Sequence, residues 1–176
     1  LITDHHVQKG PFFLHPMDVT IDAQNNRVTV RSTGKDGKEK EKTSSVNLPS
    51  DLANGMIPLV VENLGSGTAQ TTVSMLVATP KPRIVKLVFS RRSEEEYSLG
   101  GSTRNASHFE IKVELGGIAG LVAPLIGKEP PGLEIWTVGG QAPAFLREQG
   151  PLYPGGPRMT IQLASPTWPE PRGSGD

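Results

Sequence analysis

The sequence predicts a mainly β protein: a curved antiparallel sheet of seven or more strands, half-barrel or barrel-like, with one short kinked helix packed on its concave face. Three observations lead there. The chain holds 20 glycines and 16 prolines among 176 residues, a composition that favours turns and short strands over long helices. Apolar residues recur with period two in segment after segment, so each strand buries one face and wets the other. Helical periodicity of any length is found once.

In chain order, Met17, Val19 and Ile21 alternate with polar neighbours, and Val28 and Val30 repeat the pattern in RVTVR. The turn-forming AQNN between them makes a hairpin. The stretch GKDGKEKEKTSS, from Gly34 to Ser45, mixes both charge signs with two glycines and is expected as a long solvated turn. The helix is placed at Leu48 to Leu64. Ser50 serves as its N-cap, Asp51 suits its positive end, and Leu52, Met56, Leu59, Val60 and Leu64 share one face. Pro58 kinks it by removing a backbone donor, and Gly65 ends it.

Strands follow at Thr71 to Ala78, Ile84 to Arg92, Phe109 to Leu115, Leu133 to Val138 and Arg158 to Ala164, with Ser93 to Tyr97 (SEEEY) as a turn into a short strand. The cleanest sets Phe109, Ile111, Val113 and Leu115 against Glu110, Lys112 and Glu114. A single helix is too little cover for so wide a sheet. The sheet must therefore curl around it, close on itself, or receive another hydrophobic body. The whole reads as one domain over residues 1–169, with 170–176 a frayed, disordered tail by composition.

The totals restrict function. Lys plus Arg and Asp plus Glu number 18 each, so no net field draws the chain to nucleic acid or anionic lipid. Cysteine is absent, which excludes disulfides and thiol catalysis. No run approaches the ~18 apolar residues that a spanning helix needs, so the chain is not expected to cross a membrane. It begins at Leu1 without a basic-then-apolar leader, as a processed or trimmed product would.

Candidate motifs mostly dissolve under their own spacing. In GGIAGLVAPLIGKEPPG, Gly116 to Gly132, Gly127-Lys128 is followed by Glu129 and position 122 is Val, so no phosphate loop forms. Its apolar part, Ile118 to Ile126, is about half a membrane span and carries Pro124. Each buried aliphatic there contributes roughly 1.5 kcal/mol or more, which favours folding the segment onto the open mouth of the sheet, as a core plug or as a movable lid over a ligand. His5, His6 and His15 lie near Asp4 and Asp18, yet adjacent residues of a strand point to opposite faces and no metal-ligand spacing is present. His108 has no obvious carboxylate partner in sequence. Ser66 and Ser102 miss the spacing of a nucleophile elbow, and Glu94 to Glu96 read as solvated charges balanced by Arg91 and Arg92. Asn105-Ala106-Ser107 matches the short glycosylation acceptor pattern. No catalytic residue, metal ligand or cofactor is expected.

Trp136 falls on the face opposite Leu133 and Ile135, so its strand is either buried on both sides or presents an exposed indole. Phe145, Tyr153 and Trp168 lie in the Pro/Gly-rich final third.

The segments GLEIWTVGGQAPAFLREQGPLYPGGPRMTIQLASPTW and LPSDLANGMIPLVVENL resemble uncharacterised exported proteins of soil bacteria. The layout, a one-sided antiparallel sheet with a tucked helix, is similar to the periplasmic lipoprotein-carrier half-barrels. That resemblance implies a periplasmic or secreted, non-enzymatic protein holding a hydrophobic or lipid-like ligand. The residues expected to touch it are Met56, Val60, Leu121, Leu125, Ile126 and Trp136. Two other readings compete: a protein- or glycan-interaction module using Trp136, Phe145 and Tyr153, and a hydrolase with an N-terminal site of His5, His6 or His15 with Asp18.

Overall fold

A computed structural model describes residues 1–11, 13, 16–34, 37–64, 67–77, 82–99, 101–114, 132–139, 143–151 and 156–164. The protein is mainly β and antiparallel, with one short helix, as the period-two pattern predicted. The strands divide between two sheets. The first, in the order β1-β2-β3-β4, is built from β1 (Thr3–Gln8), β2 (Met17–Asp22), β3 (Arg27–Thr33) and β4 (Glu39–Ser45). The second, in the order β10-β9-β8-β7-β6-β5, holds β5 (Gln70–Val77), β6 (Arg83–Leu99), β7 (Ser102–Glu114), β8 (Leu133–Val138), β9 (Ala144–Pro151) and β10 (Arg158–Gln162). Sheets of four and six strands thus stand where one sheet of seven or more was expected, and neither closes into a barrel among the described residues.

The division has a local cause. The connector after β4 lies along the outer edge of β5: Ser74 N–H donates to the Asp51 carbonyl at 3.1 Å and Ala53 N–H to the Ser74 carbonyl at 2.9 Å. Leu52 and Ser74 form a parallel bridge. Asn54 then extends this contact with its side chain, which accepts from Leu76 N–H at 2.7 Å and donates to the Leu76 carbonyl at 2.8 Å. Asn54 is buried, so its amide acts as one more strand residue and satisfies an edge that would otherwise stay open. Lys86 secures the same corner, donating to Asp51 and to Ser74, each at 2.8 Å.

This pairing consumes the first half of the expected helix. The observed helix α1 is Ile57–Glu62, with Pro58 in its opening turn. Pro58 therefore starts the helix rather than kinking it, because the missing N–H is one that the first turn leaves unpaired anyway. Gly55, at φ +68°, makes the left-handed step between the edge segment and the helix, and a β-carbon there would lie 3.0 Å from Asp4 Oδ1.

Further departures concern strands, among them β7, which begins at Ser102 rather than Phe109. The Met17–Thr33 hairpin stands as expected, with Asn26 at φ 53° and Asp22 accepting from Asn25 N–H and Nδ2 in the turn. The charged stretch after it, expected as solvated turn, supplies β4 from Glu39 onward. It pairs with β3 through Thr29–Thr43 and Arg31–Glu41 cross-strand contacts and forms an exposed edge, where lysines and glutamates deter further pairing. SEEEY is not a turn: β6 runs through it to Leu99, with a bulge between Arg91 and Ser93. β1 and β9 are strands not among those expected from the sequence. The expected tail at 170–176 and the 116–131 stretch lie outside the described residues.

Three buried clusters result: two on opposite faces of the six-stranded sheet, and a third of Ala106, Trp136 and Leu146 on the face away from the helix. Val19, Ile21, Val28 and Val30 of the first sheet pack with Leu52, Leu76 and Ile84, covering the β5–β6 corner. On the other face Val61 of α1 packs on Leu87, Phe89, Phe109, Ile111 and Ile135.

Candidate functional site

The helix-side face of the six-stranded sheet is apolar from strand to strand. The register aligns Val73 with Leu87, Leu87 with Val113, Phe89 with Ile111, and Phe109 with Ile135, so these residues share one side. Against this breadth α1 offers six residues and reaches β8 and β9. Val61 is fully buried beneath it. Val73, Met75, Val113, Leu133 and Phe145, packed against the same cluster, are only partly buried, as is Val60 of the helix itself. Gly150 lets β9 press close to β8 here, since a β-carbon at that position would stand 2.6 Å from Leu133 Cδ1.

Polar groups interrupt the face at two places. Arg91, paired across the strands with Phe109, lays its guanidinium 4.9 Å from that ring and binds Glu94 and Ser107. Glu148 pairs across the strands with Ile135 on one side and Ile161 on the other, which puts its carboxyl on the helix side. Burial alone pushes its pKa above the ordinary value.

The opposite face carries the second notable cluster, a ladder across β6 to β9. His108 pairs with Trp136 and Trp136 with Arg147. The imidazole and indole stack at 4.3 Å between centroids and 6° between planes, and the Arg147 guanidinium lies 3.8 Å from the indole centroid. Trp136 donates its Nε1–H to Glu95 at 3.1 Å, and Ser93 donates to the other Glu95 oxygen at 2.8 Å. These two hydrogen bonds, Ser93 first, hold Glu95 below the usual carboxylate range. Burial lowers the pKa of His108 despite Glu95 3.3 Å from its Nδ1.

Ser93, His108 and Glu95 are the residue types of a nucleophilic triad, but their arrangement is wrong for one. Ser93 Oγ, at 3.4 Å, and Glu95, at 3.3 Å, both approach Nδ1, so the ring cannot take a proton from one while being oriented by the other. His108 does have a carboxylate partner, one that sequence distance concealed. Trp136 is 4% exposed; its strand is buried on both faces, and the exposed indole required by an outer-face interaction module is absent. Phe145 is partly buried on the helix side, and Tyr153 and Trp168 lie outside the described residues.

The N-terminal histidines separate as strand geometry dictates. His5 Nε2 contacts Asp18 at 2.9 Å on the outer side of the first sheet, and His6 Nδ1 contacts Asp4 at 2.9 Å on the other. No group of three potential ligands assembles among the described residues; His15 lies outside them. Glu94 pairs with Arg91 and Ser107, whereas Glu95 faces the other way.

Of the six residues expected to touch a ligand, Val60 lies on the helix-side face and Trp136 on the reverse of the same sheet. Met56 lines a shallow open cleft of about 460 Å³ with Leu1, Ile2, Thr3, Asp4, Asn54 and Gly55. Leu121, Leu125 and Ile126 fall outside the described residues. Glu148 was missed because its strand, AFLREQGP, is bulged at Leu146, which breaks the alternation by which it would have been recognised.

No family model, curated protein or solved structure matches this chain. No described helix is long and apolar enough to cross a membrane.

Proposed function

We propose that this chain is a non-enzymatic, exported binding protein that holds an apolar or lipid-like ligand on the helix-side face of the six-stranded sheet, the strands curling about it as in a half-barrel. The observation that carries the reading is the mismatch between an apolar face six strands wide and a helix of six residues over it. Partly exposed aliphatics in a continuous patch favour a bound apolar body over water. Val60, Val73, Met75, Val113 and Leu133 form its contact surface. Trp136, on the reverse, stiffens the sheet and does not touch the ligand.

Native mass spectrometry of the protein as purified, before and after extraction with organic solvent, tests this. The expected result is a bound apolar species that extraction removes and that a neutral alkyl compound such as decanol replaces. Bare protein that takes up no alkyl compound overturns it.

A further inference from the structure

We infer that the apolar-face ligand carries a cationic head, a protonated amine or quaternary ammonium, that pairs with Glu148. The inference rests on the binding reading above. Glu148 stands between Ile135 and Ile161 on the helix-side face, on a strand that α1 touches. Among the described residues its carboxyl has no hydrogen bond and no ion pair, in contrast to the neighbouring glutamates of the same sheet. Glu94 has Arg91, Glu110 has Arg92, and Glu134 has Arg158. Glu95 is held by Ser93 and Trp136.

An unpaired, half-buried carboxyl between Ile135 and Ile161 is stabilised by a matching cation brought against the same apolar surface. Access is open from the sheet edge, where Met159 and Ile161 of β10 are 43% and 46% exposed on the same side. An alkyl chain laid along the Val113–Leu133 side with its head toward β10 places a cation beside Glu148. A carboxylate-headed lipid would bring like charge to the same point.

Titration of the whole chain with decylamine, decanol and decanoate tests the assignment. The expected order is decylamine tighter than decanol by about tenfold, with decanoate weakest. Glu148→Gln should bring decylamine level with decanol; Glu134→Gln, on the opposite face, should leave the preference intact. If decanol binds and decylamine binds no better, or if the preference survives Glu148→Gln, the cationic head is refuted while the apolar site stands. If none of the three binds, the site itself is refuted and the inference with it.

Discussion

The imidazole of His108 lies flat on the indole of Trp136, 4.3 Å away and 6° from parallel, and the carboxylate of Glu95 binds the indole N–H at the rim of the stack. This column joins β6, β7 and β8 on the face that α1 does not cover, and Arg147 extends it to β9. Trp136→Ala should therefore cost about 3–5 kcal/mol by emptying a buried aromatic site. Trp136→Phe keeps a ring but removes the Glu95 donor and should cost about 1–3 kcal/mol. Urea denaturation measures both; equal losses for the two would mean that the hydrogen bond, not the packing, holds the column.

Protonation should weaken the same column. His108 titrates below its ordinary value of 6.5, chiefly through burial, so the unfolded chain binds the proton more readily than the folded one. Stability is then complete above pH 6.5 and falls as pH drops from there toward the folded value. Thermal melts between neutral pH and pH 5 should show this decline in the native chain and a shallower one in His108→Phe. Parallel declines in the two proteins would remove His108 as the cause.

Glu148 should act with the opposite sign. Its pKa is raised above 4.5 by burial, so its favourable contribution is present in acid and lost as pH rises through the folded value. Glu148→Gln should therefore be more stable than the native chain at neutral pH and lose that advantage in acid. A variant less stable at neutral pH would point to a partner for the carboxylate that the proposed ligand cation was meant to supply.

Asn54 guards the β5 edge. Its amide makes a two-way pair with Leu76 backbone at 2.7 and 2.8 Å in a buried position, so Asn54→Ala should cost about 1–3 kcal/mol. It should also expose Leu76 N–H to exchange, which hydrogen–deuterium exchange reads directly. Asn54→Asp retains the acceptor but sets an oxygen against the Leu76 carbonyl, and should be no better than alanine.

Much of the sheet was legible because a half-buried strand writes its burial in alternate residues: Met17, Val19, Ile21 and Phe109, Ile111, Val113 fall where the pattern put them. The parts that escaped obey other physics. β4 is an exposed edge, so its lysines and glutamates carry no alternation. The Leu48–Leu64 helix looked whole because Leu52 and Val60 fit one helical face, yet Leu52 is buried in the core beside the first sheet and Val60 packs on the other face of the second. Pairing with Ser74 and the left-handed Gly55 overrode local helix preference. Trp136 stood out in sequence, but Glu95, His108 and Arg147 did not, and only strand register brings them to it.

Methyl-resolved NMR during titration with decanol tests the binding proposal most directly. Shifts should concentrate at Val60, Val73, Met75, Val113 and Leu133, with Val19, Ile21 and Val28 in the first sheet unmoved. Shifts confined to Ile2 and Met56 in the shallow cleft, or none at all, would contradict an apolar site beneath the helix.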